Sequence, residues 1–230
     1  MGYGPQLVAG TWETIKLAIL SLIVAVLLGL IAASAKLSKN RVARFVAALY
    51  TTLIRGIPDL VLLLLIFFSM QLYLNTLTDA LHLPYIDIEP FSAGVLTLGF
   101  IYGAYFTETF RGAFMAIPAG QAEAAVAYGF SRWQIFSRIQ FPQMMRHAIP
   151  GLGNNWQVLL KATALVSLIG LNDLVKVAQN AGNVTFKVFL FISVTGLIYL
   201  ALTTVSNAVL YLLEKRYSVG VKRAELWTPF

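Results

Sequence analysis

Five stretches of this chain are long and apolar enough to cross a lipid bilayer, and they constrain its fold more than anything else in it. A spanning helix needs about 20 mostly apolar residues. Residues 17–35, 60–78 and 188–213 contain no charge, residues 91–107 none before Glu108, and residues 148–174 are interrupted by Lys161. Extended to their flanking residues, these runs predict spans at about 12–35, 45–76, 91–115, 148–174 and 188–213. The expected fold class is an all-α integral membrane protein, one membrane domain over residues 1–230. No cleavable-signal pattern precedes the first run, so it is expected to be a retained helix. Composition agrees: 58% of the residues are hydrophobic and 12% charged, about half the charge of a soluble domain.

The cationic residues set the orientation. Lys36, Lys39, Arg41 and Arg44 follow the first run, Arg111, Arg132, Arg138 and Arg146 surround the loop after the third, and Lys215, Arg216, Lys222 and Arg223 follow the fifth. The alternate loops, 75–90 and 177–187, hold Lys187 alone between them, and the former carries Asp79, Asp87 and Glu89. Loops rich in Lys and Arg stay inside, so the amino terminus is expected outside and the carboxyl terminus in the cytoplasm. The net charge of +7 then reflects basic loops at one membrane face, and nucleic acid is not an expected partner. The chain has no cysteine and two isolated histidines, His82 and His147, so no metal site is expected. Gly99 and Gly103 have the G-x-x-x-G spacing that lets helices approach closely in lipid. The spacing suits packing within the chain or against a second subunit.

The loop at about 118–142 has a definite local chemistry. Pro118 and Gly120 precede good helix formers, 121–128, and Gly129 is placed to end that helix. Ser131 and Gln134 have capping-box spacing for a second helix through Ile139, which Pro142 is expected to end. Two short helices about a glycine bend make a compact knob, and alanines 122, 124, 125 and 127 keep its first helix slim. This chemistry suits docking on a partner. It also suits a helix lying on lipid, given Arg132, Trp133 and Arg138.

Within that loop, Glu123, Ala124, Ala125, Gly129, Ile139 and Pro142 form the pattern E-A-A-x-x-x-G-x9-I-x-F-P. It resembles the cytoplasmic loop by which permeases of ABC importers grip their ATPase. The segments YTTLIRGIP (50–58), YFTETFRG (105–112), KATALVSLIG (161–170) and RYSVG (216–220) are similar to the polar amino-acid permeases of that family. Asp59 and the block GNNWQ (153–157) resemble its importers of histidine, lysine, arginine and ornithine. Two departures are Ala164, where many relatives carry Ser, and the tail from Trp227 to Phe230. The resemblance covers nearly the whole chain and implies a type I ABC importer permease of the bacterial inner membrane. It implies that residues 118–142 couple to two copies of an ATPase subunit holding ATP and Mg, with no cofactor in this chain. It further implies a second homologous permease and a periplasmic basic-amino-acid-binding protein as partners. No phosphate-cradling G-x-x-x-x-G-K-[ST] element occurs, so the chain is expected to do no ATP chemistry itself.

Ionisable groups inside spans cost about 2.5–3.5 kcal/mol each on insertion scales and are candidate functional groups. A cationic amino acid needs carboxylates for its side chain and an arginine fork or amide donors for its own carboxylate. Glu108 and Asp173 suit the first role and Arg55 the second, which is also the assignment the resemblance implies. Ser167 precedes Gly170 and Asp173 in a stretch where the helix is expected to break and expose backbone groups. Asp59, one turn beyond Arg55, suits cargo contact or a pair with Arg55. The same charges could instead form ion pairs that only hold helices together, and Lys161 is expected to serve structure or gating. An ion-coupled secondary carrier is the competing class; it explains buried carboxylates but not the structured loop.

Overall fold

The computed structural model describes residues 2–217. Lys222, Arg223, Trp227 and the tail to Phe230, on which the sequence reading also draws, lie outside the described residues. All regular structure among the described residues is helical. It consists of α1 (Gly4–Leu37), α2 (Arg41–Gly56), α3 (Asp59–Ala80), α4 (Pro90–Met115), α5 (Ala119–Ala127), α6 (Arg132–Ile135), α7 (Phe141–Ala162), α8 (Leu174–Thr185) and α9 (Val188–Tyr217). A π-helical stretch, Phe136–Gln140, joins α6 to α7, and a 3-10 stretch, Thr163–Ile169, continues α7.

Three described helices, α1, α3 and α9, are by themselves long and apolar enough to cross a bilayer. The bent pair formed by residues 132–169 and α8, which meet at 55°, is a fourth candidate. Helix α4 is long and lies at the centre of the bundle, with half of its residues buried. Its glycines make that position possible. A Cβ on Gly99 would stand 2.5 Å from Val24, one on Gly103 would stand 2.7 Å from the Tyr50 hydroxyl, and one on Gly29 of α1 would stand 2.7 Å from Phe106. The register of 24 with 99 and 28 with 103 makes α1 and α4 parallel. The G-x-x-x-G spacing therefore packs helices within this chain.

Two expectations about the spans need correction. The stretch 45–76 is not one helix. Ile57 is extended, with φ −114° and ψ 140°, ahead of Pro58, because the proline ring crowds the preceding residue out of the helical region. The ladder stops at Gly56 and restarts at Asp59. The stretch 148–174 breaks where Gly170 was expected to interrupt it: the helix runs to Ile169, Gly170 at φ +100° ends it, and Asp173 is the extended cap of the next helix, so only its end at 174 needs correction.

Polar side chains shape the connections. Asn40 accepts from Val42 and Ala43 and starts α2. Asn75 and Gln71 bracket the backbone of Ile86 and Ile88, which lashes the loop before α4 onto α3. Glu89 caps α4 through Phe91 and Ser92. The Ser92 hydroxyl and the two amides bond to its carboxylate and hold it below the ordinary range despite some desolvation.

Candidate translocation and coupling sites

Helix α2 and α3 run against α4 with a polar seam between them. At one end the Lys36 ammonium, from the last turn of α1, bonds to the Glu108 carboxylate and lies 2.6 Å from Thr51 Oγ1. Arg111 Nε donates to the other Glu108 oxygen at 2.9 Å. Further along, the Arg55 guanidinium lies over the Tyr105 ring, 5.5 Å from its centre. Tyr102 donates to Asp59 Oδ2 at 2.8 Å, and Tyr105 to Oδ1 at 3.5 Å. The spacing 102, 105, 108, 111 sets each of these groups beside the next along a row that winds around α4 by about 60° per step, and Asp59, Arg55 and Thr51 meet its first three levels in order. Arg55 through Pro58 are exposed, so the helix break opens this seam outward.

Asp173 lies elsewhere. It is fully buried, caps α8 by accepting from Lys176 N at 3.0 Å, and its second oxygen has no hydrogen-bond partner. The start of α8 sits directly on α1: a Cβ on Gly10 would meet Leu174 Cα at 3.0 Å, and Leu174 N donates to Thr14 Oγ1 at 3.2 Å. Ser167 is buried, with its hydroxyl on the Ala164 carbonyl at 2.8 Å.

The structure thus does not bring the expected cargo groups together. Glu108 meets Lys36 at one end of α1 and Asp173 packs by Thr14 at the other. From position 14 to position 33, the level of Glu108 on α1, the helix rises about 28 Å, too far for one amino acid to touch both carboxylates. Asp59 and Arg55 share one seam, yet each is held by a tyrosine rather than by the other. The Lys36–Glu108 contact was missed in the sequence. Its signal was the α1–α4 register, which sets position 33 beside 108, combined with the rule that helical side chains lean toward the amino end. Lys36, one turn on, leans back to that level.

The loop 118–142 has the geometry its residues specify. Gly129, at φ +79°, closes α5. Its amide donates to Val126 O at 2.9 Å and that of Phe130 to Ala125 O at 3.0 Å, the paired bonds of a Schellman cap. Ser131 and Gln134 bond reciprocally to start α6. Glu123 and Ala124 are exposed on α5 while Ala125 is buried against the knob. Ile139 lies in the π-helical stretch. Pro142 does not end the helix as expected; α7 runs through it. The wider π turn immediately before it relieves the clash that the proline ring would make with the carbonyl four residues back.

At the other end of α1, Glu13, Lys16, Glu89, Phe91, Gly170 and Asn172 line a recess of about 500 Å³. Lys16 pairs with Glu13 at 2.7 Å and lies 5.6 Å from the centre of the Phe91 ring.

The site thus sits in a helical bundle with three or four described helices apolar enough to cross a bilayer and a two-helix knob between α4 and α7. The chain belongs to the family of binding-protein-dependent transport system inner membrane components, whose pattern it matches over residues 25–219. It is 62% identical over 225 residues to the histidine/lysine/arginine/ornithine transport system permease protein HisQ of Salmonella typhimurium LT2, covering 98% of this chain and 99% of that one. The arginine ABC transporter permease protein ArtQ of Escherichia coli K12 is 38% identical over 88% of this chain and 91% of its own. Among solved structures, an amino acid ABC transporter crystallised with histidines superposes with a TM-score of 0.78 at 34% identity, over 93% of this chain and 95% of the other. The inward-facing MetNI methionine ABC transporter, at 16% identity and a TM-score of 0.66 over 93% and 99%, shares the fold.

Proposed function

We propose that this chain is the permease subunit of an ABC importer for basic amino acids, with histidine, arginine, lysine and ornithine as its cargo. The observation that carries the cargo class is the full-length identity to a permease of that system. The whole chain acts as one membrane domain of five spans: α1, the broken pair α2–α3, α4, α7 with its 3-10 extension, and α9. The amino terminus lies outside and the carboxyl terminus in the cytoplasm, as the Lys and Arg distribution requires.

The knob at 118–142 faces the cytoplasm. There α5 enters a groove on an ATPase subunit, with Glu123, Ala124 and Ala125 at the contact and Gly129 setting the angle. Ile139 and Pro142 connect the knob to α7. Two ATPase copies bind ATP and Mg and supply the energy. A second, homologous permease completes the path, and a periplasmic binding protein delivers cargo to the recess near Glu13 and Glu89.

Cargo contact falls to the seam at the helix break. Asp59 offers a carboxylate to the cationic side chain, and Arg55 offers its fork to the amino acid's carboxylate. Glu108 and Asp173 hold helices in place, the first as an ion pair and the second as a cap. The test is uptake of labelled arginine and histidine into proteoliposomes. These contain the chain, its partner permease and the ATPase, with binding protein outside and ATP inside. Uptake that requires both ATP and binding protein is expected. Uptake driven by an ion gradient without ATP would overturn the reading in favour of a secondary carrier.

A further inference from the structure

Helices α1, α4, α7 and α9 leave a gap where they meet. It is a groove of about 390 Å³, walled by Leu22 of α1, Phe106 of α4, Leu152 and Trp156 of α7 and the stretch 205–213 of α9. Its lining side chains are apolar except for Ser206, whose hydroxyl is spent on the Leu202 carbonyl at 2.8 Å. Val205, Val209 and Leu213 are exposed along it, so the groove opens to the surroundings of the bundle. From 205 to 213 helix α9 rises about 12 Å, close to the depth of one leaflet, about 15 Å of hydrocarbon.

The groove stops where charge begins. Arg216 and Tyr217 follow Leu213 at the three- and four-residue spacing that keeps side chains on one face of a helix, and Lys215 adjoins them. Helices α7 and α9 are antiparallel, with Gly153 against Leu210 and Gln157 bonded to Asn207 at 2.8 Å. That register brings Arg146 of α7 to the level of Arg216 and Tyr217. Among the described residues, ion pairs form at Glu13 and Glu108 alone, so no carboxylate, not even the adjacent Glu214, neutralises Arg146, Lys215 or Arg216. Apolar walls one leaflet deep that end at three cations complement an amphiphile with an anionic head.

We infer that this groove binds an anionic phospholipid, with one acyl chain lying between α1 and α9 and the phosphate held by Arg216 and Arg146. Basic pockets between spans on the cytoplasmic side hold anionic head groups in this way. The proposed orientation enters only in naming the cytoplasmic leaflet as the source of the lipid. The chain fills the gap between α9 and α1 and so fastens the last span to the rest of the bundle.

The test uses the assembled importer, purified in detergent and stripped of lipid. It is given phosphatidylglycerol or phosphatidylcholine with the same acyl chains, and retained lipid is counted by mass spectrometry of the intact complex. The readout needs no transport, so it is independent of the cargo. Phosphatidylglycerol is expected to be retained about fivefold better or more, the scale of one cation at an anionic surface. Arg216→Gln should remove most of that preference, while Arg44→Gln, at an exposed cation of α2, should leave it in place. Val209→Trp fills the groove from an exposed position and should lower the retention of both lipids. Equal retention of the two lipids, equal effects of Arg216→Gln and Arg44→Gln, or undiminished retention by Val209→Trp would each overturn the inference. A Val209→Trp complex that sheds its partner permease but keeps its lipid would overturn it too, by making the groove an interface between subunits.

Discussion

Glu108 shows how the surroundings of a charge inside a membrane protein depend on residues remote from it in sequence. Its place in a span marks it as functional, and a cationic cargo gives it an obvious task. The fold instead supplies two cations from the protein: Lys36 from another helix and Arg111 from its own next turn. The side chain is about four-fifths buried, so the ion pairs count for more than exposed ones and less than fully enclosed ones. Glu108→Gln leaves two cations facing a neutral amide and should cost about 1–3 kcal/mol of stability, between the exposed and buried limits. Thermal unfolding of the purified complex measures this, and adding Lys36→Met should recover part of the loss, because it removes one unpaired charge. A cost that simply doubles in the double variant would show that the pair does not couple. The charges were legible in the sequence, as was Arg111 one turn on; Lys36 as a partner was not, because that pairing depends on the register of two helices and joins residues 72 apart.

At the level of elements, local chemistry predicted the bends better than the straight segments. The glycine cap of α5 and the capping box of α6 were readable because each is settled within six residues. The break at Ile57–Pro58 was missed because its proline lay inside a strongly apolar stretch, where hydropathy outweighed backbone restriction. The continuation of α7 through Pro142 was missed because a π turn leaves no mark in composition. Gly129 and Gly99 test two different uses of glycine. At Gly129 a Cβ would meet nothing within 4 Å, but φ is +79°. Gly129→Val should therefore cost about 1–2 kcal/mol locally and uncouple ATP hydrolysis from uptake while the bundle stays folded. Gly120→Ala, in open space with no positive φ, should leave coupling intact. At Gly99 the backbone is ordinary and the space is missing. Gly99→Leu should destabilise the bundle by about 1–3 kcal/mol or more through overpacking, read as a lower unfolding midpoint in detergent. Gly112→Leu, with nothing within 4 Å, is expected to be far milder.

For the whole molecule, the apolar runs and their basic flanks set a topology that reporter fusions can check. A reporter at the carboxyl terminus should read as cytoplasmic and one in the loop 81–89 as external; the reverse result for either would overturn the orientation. Class and membrane character were legible from the sequence because hydropathy and charge asymmetry are bulk properties that need no tertiary knowledge. The cargo site was not, because it depends on which of several candidate charges reach one depth. The α1–α4 pair has a mechanical consequence. It is clasped at Gly29, Gly99 and Gly103, tied at one end through Lys36 and Glu108, and capped at the other where Leu174 rests on Gly10. Such a pair has no joint along its length and no slack in which to slide. Under the docking proposed for the knob, it would act as a stiff beam that carries a push there to the far side of the bundle. Compliance is left to the interruptions, Ile57–Pro58 and Gly170, where no helical ladder resists bending.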